Sequence, residues 1–465
     1  GKSFKSNKKF IFIPWNKDQW KLGFDNFVSR GPSNMRFIST RGKIKSASLT
    51  EAILHGLASD GGLFVPEFWP SLTIEKDWHQ LSFSELAYRT LIPFFQNDPL
   101  GLALEEICNE AFNFPVVLKY LPNNTAVLEL FHGPTCAFKD FGARFLALCL
   151  KSVLNPLSRQ PMVLVATSGD TGGAVASAFS ECTDIPVTIL YPKGMISGRQ
   201  EIQLTSWGQQ VHAFAVRGSF DHCQKIVKEA FASEWWQKNF QLISANSINI
   251  GRLFPQMAYY AYASLQFQHR HKKTPGFIIP SGNLGNSVAA LWARKMGFPI
   301  KKIIFAHNMN KSVPNYFSSG SWTPLPTVST LANAMDVGNP SNIERVNHLF
   351  PDLTELKKFA SAQSVSDDEI QECIRHGKKT WGQIWCPHTA TAVFLREQML
   401  QNIPWIIVAT AHPAKFETIV EPLIGEKIPL PKSLERILHL PCSSTEIKPT
   451  LGDLTADLTK RVKAI

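Results

Sequence analysis

Lys139 stands in the stretch Leu128–Phe145, LELFHGPTCAFKDFGARF, between Phe138 and Phe141 and directly before Asp140. Gly133-Pro134 forces a turn just upstream. A lysine held among apolar groups loses solvation for its charged form, so its pKa falls. The neutral amine then forms a Schiff base with an aldehyde. A lone Phe-Lys-Asp triplet describes equally a surface lysine at a helix start, its stem covering aromatic rings. The remainder of the chain decides between the two.

Four further stretches carry donor chemistry. Thr167–Gly172 (TSGDTG) and Ser281–Asn286 (SGNLGN) are Gly-rich loops, each between an apolar run and a helical pattern. Backbone N–H groups in such loops converge on an anion, and the helix dipole adds partial positive charge. Neither loop continues into Gly-Lys-Ser/Thr and neither is G-x-G-x-x-G. Taken singly, each is at least as readily a tight turn; two in one chain suggest two anions. Ser244–Arg252 (SANSINIGR) offers amides, hydroxyls and one guanidinium, a set that suits a phosphate or a capped helix start. Val408–Phe416 (VATAHPAKF) puts Thr410 at a strand end, able to meet a buried ring nitrogen or simply to turn the chain. His132, His307, His388 and His412 have acid–base chemistry but no partner visible in sequence, and read as structural.

The elements that must position these residues follow from apolar periodicity. Residues 35–127 read as a small α/β unit. Ser48 and Glu51 have the spacing of a capping box, opening a helix with Ile53 and Leu57 on one face. Helical patterns follow around Phe83–Ile92 and Leu102–Phe112. From Leu128 onward strands and helices alternate. Strands are expected at 162–166, 187–190, 211–216, 241–243, 276–280, 302–306 and 405–410, and helices at 173–180, 220–231 and 287–296. Such alternation predicts mainly parallel sheets with helices on both faces. Both glycine loops then open past strand C-termini, where open parallel sheets bind ligands.

The chain has 465 residues, 44% hydrophobic and 18% charged, enough for two or three domains with ample core. The net charge of +11 is uneven: residues 1–34 hold seven Lys/Arg against two Asp/Glu. That segment reads as an N-terminal extension, a cloning remnant or an ordered arm, with a natural start at Met35. No basic stripe with interleaved aromatics supports nucleic-acid binding. No apolar run reaches the ~20 residues of a membrane helix. Neither the eight scattered cysteines nor the thirteen histidines have metal-ligand spacing, so no metal and no disulfide framework are expected. Free thiols favour a reducing, cytoplasmic setting.

Taken jointly and in order, these motifs resemble the threonine synthase family, pyridoxal-phosphate (PLP) enzymes of the tryptophan-synthase-β-like fold type II, in its longer bacterial and fungal form. The carrying residues are ISTRG (38–42), DGGLFVP (60–66), LELFHGPTCAFKDFGARF (128–145), ATSGDTGGAVASAF (166–179), SANSIN (244–249), PSGNLGN (280–286), NAMDVGNPSN (333–342) and TAHPAKF (410–416). The resemblance implies two open, mainly parallel sheet domains plus a small N-terminal α/β domain. The expected division is 35–127, then a large PLP-binding domain of 128–160 and 245–465, with a small mobile domain of 161–244. It implies Lys139 as the Schiff-base lysine. Ser281, Gly282, Asn283, Leu284, Gly285 and Asn286 would cradle the cofactor phosphate, and Thr410 would face the pyridine nitrogen. Thr167, Ser168, Asp170 and Thr171 would hold the substrate carboxylate and its surroundings; Asn246, Ser247 and Arg252 would grip the substrate phosphate. The implied reaction is conversion of O-phosphohomoserine and water to threonine and phosphate by γ-elimination and β-addition, in a monomer or homodimer. Some members read G-N-F-G-D where this chain has Gly282-Asn283-Leu284-Gly285-Asn286, which leaves the side-chain role of Asn286 open. Cys136, at a place usually aliphatic, reads as packing. The alternatives are a phospho-lyase of the same fold releasing 2-oxobutyrate and ammonia, and a non-catalytic binding protein.

Overall fold

In the computed structural model, residues 35–154, 159–182, 184–399 and 403–462 are described; the expectation for residues 1–34 lies outside them. Their strands make three sheets. β1 (Phe37–Ser39) and β2 (Phe64–Pro66) form a small antiparallel pair. β3 (Val117–Leu121), β4 (Thr125–Glu129), β9 (Gly276–Pro280), β10 (Ile303–His307), β11 (Ala360–Ser364) and β12 (Trp405–Ala409) form a six-stranded sheet in the order β11-β10-β9-β12-β4-β3. β5 (Gln160–Ala166), β6 (Val187–Pro192), β7 (Val211–Val216), β8 (Phe240–Ser244) and β13 (Thr445–Ile447) form a five-stranded parallel sheet, β13-β7-β6-β5-β8. Only the β3–β4 hairpin departs from parallel pairing in the six-stranded sheet. No helix of the described residues is long and apolar enough to cross a membrane.

The central strands β4, β9, β10 and β12 are buried almost end to end, as strands covered on both faces must be. Gly276 fits beside the Trp405 ring, which a Cβ at that position would strike. The helix Leu49–His55 begins with the expected capping box: Glu51 N–H donates to Ser48 Oγ at 3.1 Å and Ser48 N–H to Glu51 Oε2 at 2.6 Å. It ends at Gly56, whose φ of +66° stops it, so Leu57 lies beyond the face expected for it. Phe37, Phe94 and Phe95 all pack on Phe254 of the helix Ile250–His271. This aromatic cluster fastens the N-terminal unit to the larger sheet layer.

Two features cross the expected domain limits. The six-stranded sheet begins with β3, before residue 128, and the 127/128 limit cuts through β4. Near the C-terminus, β13 leaves the larger layer and pairs with β7, and Trp236 Nε1 donates to Thr455 Oγ1 of the following helix Leu451–Val462 at 3.0 Å. The cause is physical: β3 is only half-buried and β13 is three residues long, so neither carries a hydrophobic period that announces its sheet.

Candidate active site

Phe138 N–H donates to Thr410 O at 2.8 Å and His412 N–H to Cys136 O at 3.0 Å. The turn before Lys139 is therefore stitched by backbone bonds to the end of β12, through an isolated bridge between Ala137 and Ala411. Cys136 is buried there with φ +58°, a left-handed residue within the turn. Gly133 is required because a Cβ would meet Asp140 Oδ2 at 2.5 Å. The buried Asp140 carboxylate accepts from Thr135 N at 2.9 Å and Thr135 Oγ1 at 2.6 Å, closing the turn. Lys139 is the first residue of the helix Lys139–Val153. Phe141 anchors that helix against Phe114 and Tyr259, with ring centroids 4.9 and 5.1 Å away.

Lys139 opens into a cavity of about 1130 Å³ lined from both large sheets and the N-terminal unit. Its amine lies 4.7 Å from the Phe138 ring centre. Desolvation, reinforced by the Arg252 guanidinium, pulls its pKa down to about 8. Lys139 keeps some accessible surface toward the cavity, yet protein packed around the amine is what removes its hydration. The sequence expectation of a dehydrated amine thus has a geometric basis.

Every residue expected to bind cofactor or substrate lines this cavity, from Thr167, Ser168, Asp170 and Thr171 on one side to Ser281–Asn286 and Thr410 on another and Asn246, Ser247 and Arg252 on a third. Thr167 has a particular duty: its hydroxyl accepts from Gly169 N at 3.0 Å and Gly172 N at 2.8 Å. It shapes its own loop and uses two N–H groups otherwise available to an anion. In the other loop, Gly282 approaches backbone so closely that a Cβ would lie 2.8 Å from Met335 Cα. Leu284 takes φ +64° to start the helix Gly285–Lys295, whose first two residues line the cavity. Asn286, left open by sequence, accepts from Tyr259 and Tyr260 hydroxyls through Oδ1 at 2.6 Å each, while its buried Nδ2 has no protein partner.

On the third wall, Ser247 Oγ accepts from Asn283 Nδ2 at 2.7 Å and Asn342 Nδ2 at 3.3 Å, so its own proton is free to donate outward. Arg252 is buried, donates through Nη1 to Ala245 O, and has an unpartnered Nε; burial lowers its pKa to about 10. Asn246 donates to Ala166 O at 2.9 Å, tying this loop to the end of β5.

Sequence reasoning gave no role to three supports, Arg345, Gln200 and Lys415, and read a fourth, His388, as structural without seeing its partner. Arg345, fully buried, donates to Phe64 O, Ser247 O and Ile248 O and so fixes the Ser247 loop. His388 Nε2 accepts from Ala334 N at 3.0 Å behind the Met335 wall, its Nδ1 is unpartnered, and burial lowers its pKa to about 4. Gln200 donates to Asp170 Oδ1 at 3.1 Å. Lys415 pairs with the same oxygen at 2.7 Å. Their partners lie far away in the chain, and only the TAHPAKF motif contained one of them. Elsewhere, Cys373, His376 and Glu397 bring ligand-type atoms within 4.8 Å of one another. Those groups are already bonded, with Glu397 accepting from Trp381 Nε1 at 2.7 Å and meeting His376 Nε2 at 3.0 Å.

The residues present fit pyridoxal phosphate. Thr410 Oγ1 is buried without a protein partner at the cavity, as a hydroxyl waiting for a ring nitrogen would be. The close Gly282 approach and the orphaned Asn286 Nδ2 suit a phosphate cradle, and Lys139 supplies the amine.

Comparison with known proteins agrees. Residues 123–404 match the family described as pyridoxal-phosphate dependent enzyme, 36–112 the threonine synthase N terminus, and 389–456 the threonine synthase C-terminal region. A threonine synthase of Haemophilus influenzae is 39% identical over 90% of this chain and 97% of its own. The crystal structure of threonine synthase from Escherichia coli superposes with a TM-score of 0.86 at 37% identity, covering 92% of this chain and 100% of that one. A PLP-bound threonine synthase from Brucella melitensis gives 0.84 at 31% identity, over 92% of this chain and 99% of its own. With Lys139, the Ser281–Asn286 loop and the N-terminal unit all in the matched regions, the chain belongs to the threonine synthase family of PLP-dependent, fold-type II enzymes.

Proposed function

We propose that the chain converts O-phospho-L-homoserine and water to L-threonine and phosphate. The observation that carries this reading is one cavity joining a dehydrated lysine, an orphaned hydroxyl at a strand end and separate groups of anion-type donors on its walls. A substrate with a carboxylate at one end and a phosphate at the other needs such a site in addition to the cofactor's own phosphate cradle.

Pyridoxal phosphate, when bound, supplies an electron sink beside the substrate's α carbon. Ser281, Gly282, Asn283, Leu284, Gly285 and Asn286 would hold its phosphate, and Thr410 would offer its ring nitrogen a hydroxyl, which does not force protonation there as a carboxylate would. Lys139 would hold the cofactor; its amine takes the α proton, hands it on so that it is neutral again, takes the β proton, and as phosphate leaves and water adds at the β carbon the two protons return to the γ and α carbons. A pKa of about 8 gives that amine a neutral fraction near neutral pH. Ser168 and Thr171, at the start of the helix Asp170–Phe179, receive the substrate carboxylate, with Thr167 and Asp170 shaping that wall. Ser247 and Arg252 hold the phosphate through its departure, with Asn246 fixing their loop. Closure of the unit built on β5–β8 toward the six-stranded sheet excludes stray water. The same reading takes the enzyme as a cytoplasmic monomer or homodimer; eight free cysteines, seven of them buried, support a reducing compartment.

Incubation with O-phosphohomoserine, following phosphate and threonine together, tests this. Equal amounts are expected. Phosphate accompanied by 2-oxobutyrate and ammonia would assign the elimination-only reaction instead. Lys139→Ala is expected to abolish turnover while circular dichroism stays unchanged.

A further inference from the structure

Lys415 is fully buried and outside the cavity lining, yet its ammonium pairs at 2.7 Å with the Oδ1 of Asp170, which lines the cavity. The same ammonium donates to Thr135 O at 2.9 Å, in the turn that leads to Lys139. Gln203 also donates to Thr135 O, at 3.0 Å, and Gln200 also donates to Asp170 Oδ1, at 3.1 Å. Gln200 Oε1 in turn accepts from Asn333 Nδ2 at 3.2 Å. The ion pair therefore sits at the centre of a buried network joining the helix that follows β5 to the six-stranded sheet. Both bonds to Asp170 fall on one oxygen; among the described residues the other takes no hydrogen bond.

We infer that Lys415 is a positioning residue: from behind the cavity wall it holds Asp170 there as an oriented anion, and through that anion it sets the proton balance of Lys139. The inference rests on Lys139 being the cofactor lysine.

The electrostatics support the assignment. Burial alone pushes the Asp170 carboxyl up; the Lys415 ammonium outweighs it, with His388 and Gln200, and brings its pKa down to about 2. On Lys139, Asp170 favours the charged form against desolvation and Arg252, while Lys415 itself opposes that charge more weakly than Asp170 favours it. The other ionisable groups facing the pair are the Cys386 and Cys136 thiols, Asp140 and His412. None of these supplies a second cation next to Asp170. Without Lys415, burial is opposed only by His388 and the Gln200 hydrogen bond, and the Asp170 pKa rises. A bare anion would also stand where a substrate carboxylate must approach, so the pairing keeps that wall close to neutral overall.

The test compares the parent, Lys415→Met, Asp170→Asn and the double variant. Thermal unfolding at neutral pH, with and without PLP, should show a reversal of sign: Asp170→Asn lowers the midpoint in the parent and raises it in Lys415→Met, where it removes an unpaired buried charge. A lowering in both backgrounds would overturn the inference. The visible absorbance of the bound cofactor is then followed against pH. Lys415→Met should gain a second transition between about pH 5 and 8, absent from the double variant and from Lys415→Arg; a curve coincident with the parent would overturn the positioning role. Should Lys415→Met fail to fold, a double variant that folds and titrates like the parent supports the inference, and one that also fails contradicts it. A parent with no lysine-bound cofactor absorbance would instead defeat the reading of Lys139, and is recognisable as such.

Discussion

The loops Thr167–Gly172 and Ser281–Asn286 look alike in sequence: each is Gly-rich, follows a buried strand and starts a helix. Their construction differs. The first is organised by a side chain, with the Thr167 hydroxyl taking the N–H groups of Gly169 and Gly172. The second is organised by backbone approach, with Gly282 against Met335 and a left-handed Leu284. A loop that satisfies its own donors has fewer to offer an anion; a loop held from outside keeps them. The second is accordingly the better built to receive an anion, and the first is a shaped wall whose Ser168, Asp170 and Thr171 line the cavity. The two loops should therefore fail in different ways.

The largest separation between them is expected from acid. His388 accepts from Ala334 N, next to the Met335 wall that confines Gly282, and meets the Thr167 loop only through the charge of Asp170. Its folded pKa of about 4 lies below the ordinary 6.5 because burial disfavours its charge. As pH falls below 6.5 the unfolded chain takes up a proton that the folded chain refuses. Stability present above pH 6.5 is therefore lost progressively down to about pH 4, on the order of 3 kcal/mol from this group. His307, also buried and held near pH 3, adds loss of the same sign. Denaturant midpoints from pH 8 to 4 should fall accordingly, and His388→Gln, if it keeps the acceptor, should flatten part of the slope.

Gly282→Ala comes next. The new Cβ would lie 2.8 Å from the Met335 Cα, and a backbone atom has no rotamer by which to retreat. About 2–3 kcal/mol is expected, read as a PLP affinity weakened by roughly 30- to 150-fold with circular dichroism unchanged. Unchanged PLP affinity would remove the basis for assigning this loop to the cofactor. Thr167→Val should cost about 1–3 kcal/mol of stability by orphaning the Gly169 and Gly172 N–H groups. Its mark is a raised KM for substrate with PLP affinity retained, and Thr167→Ser should restore both.

The same contrast marks what sequence conveys. The Ser48–Glu51 capping box, the strands β9 and β12 and both glycine loops were legible because their determinants lie within a few residues of one another. Lys139 was legible as a candidate for the same reason. The division of labour between the loops was not, because it depends on Met335, Gln200 and Leu204 arriving from other elements. Lys415 was visible within TAHPAKF but without a task, since the carboxylate it meets lies in another sheet layer. β13 joined the five-stranded sheet unannounced for want of length.

The smallest effect is expected at the fourth residue of the helix Asp170–Phe179. At Gly173 an added Cβ would come 3.2 Å from Gln203 Cβ, a contact that a side chain can relieve by a few tenths of an ångström. Against that slight crowding stands the helix preference of alanine over glycine, about 0.8–1 kcal/mol. Gly173→Ala should therefore change stability by no more than ~0.5 kcal/mol in either direction and leave PLP affinity unaltered, as measured by denaturant melts and absorbance titration. Gly172→Ala, one position earlier, meets Thr167 Cγ2 at 2.5 Å and Leu204 more closely still, and should lose stability where its neighbour does not. If the two alanines behaved alike, Thr167 would not be the organiser of this loop, and its difference from Ser281–Asn286 would need another cause.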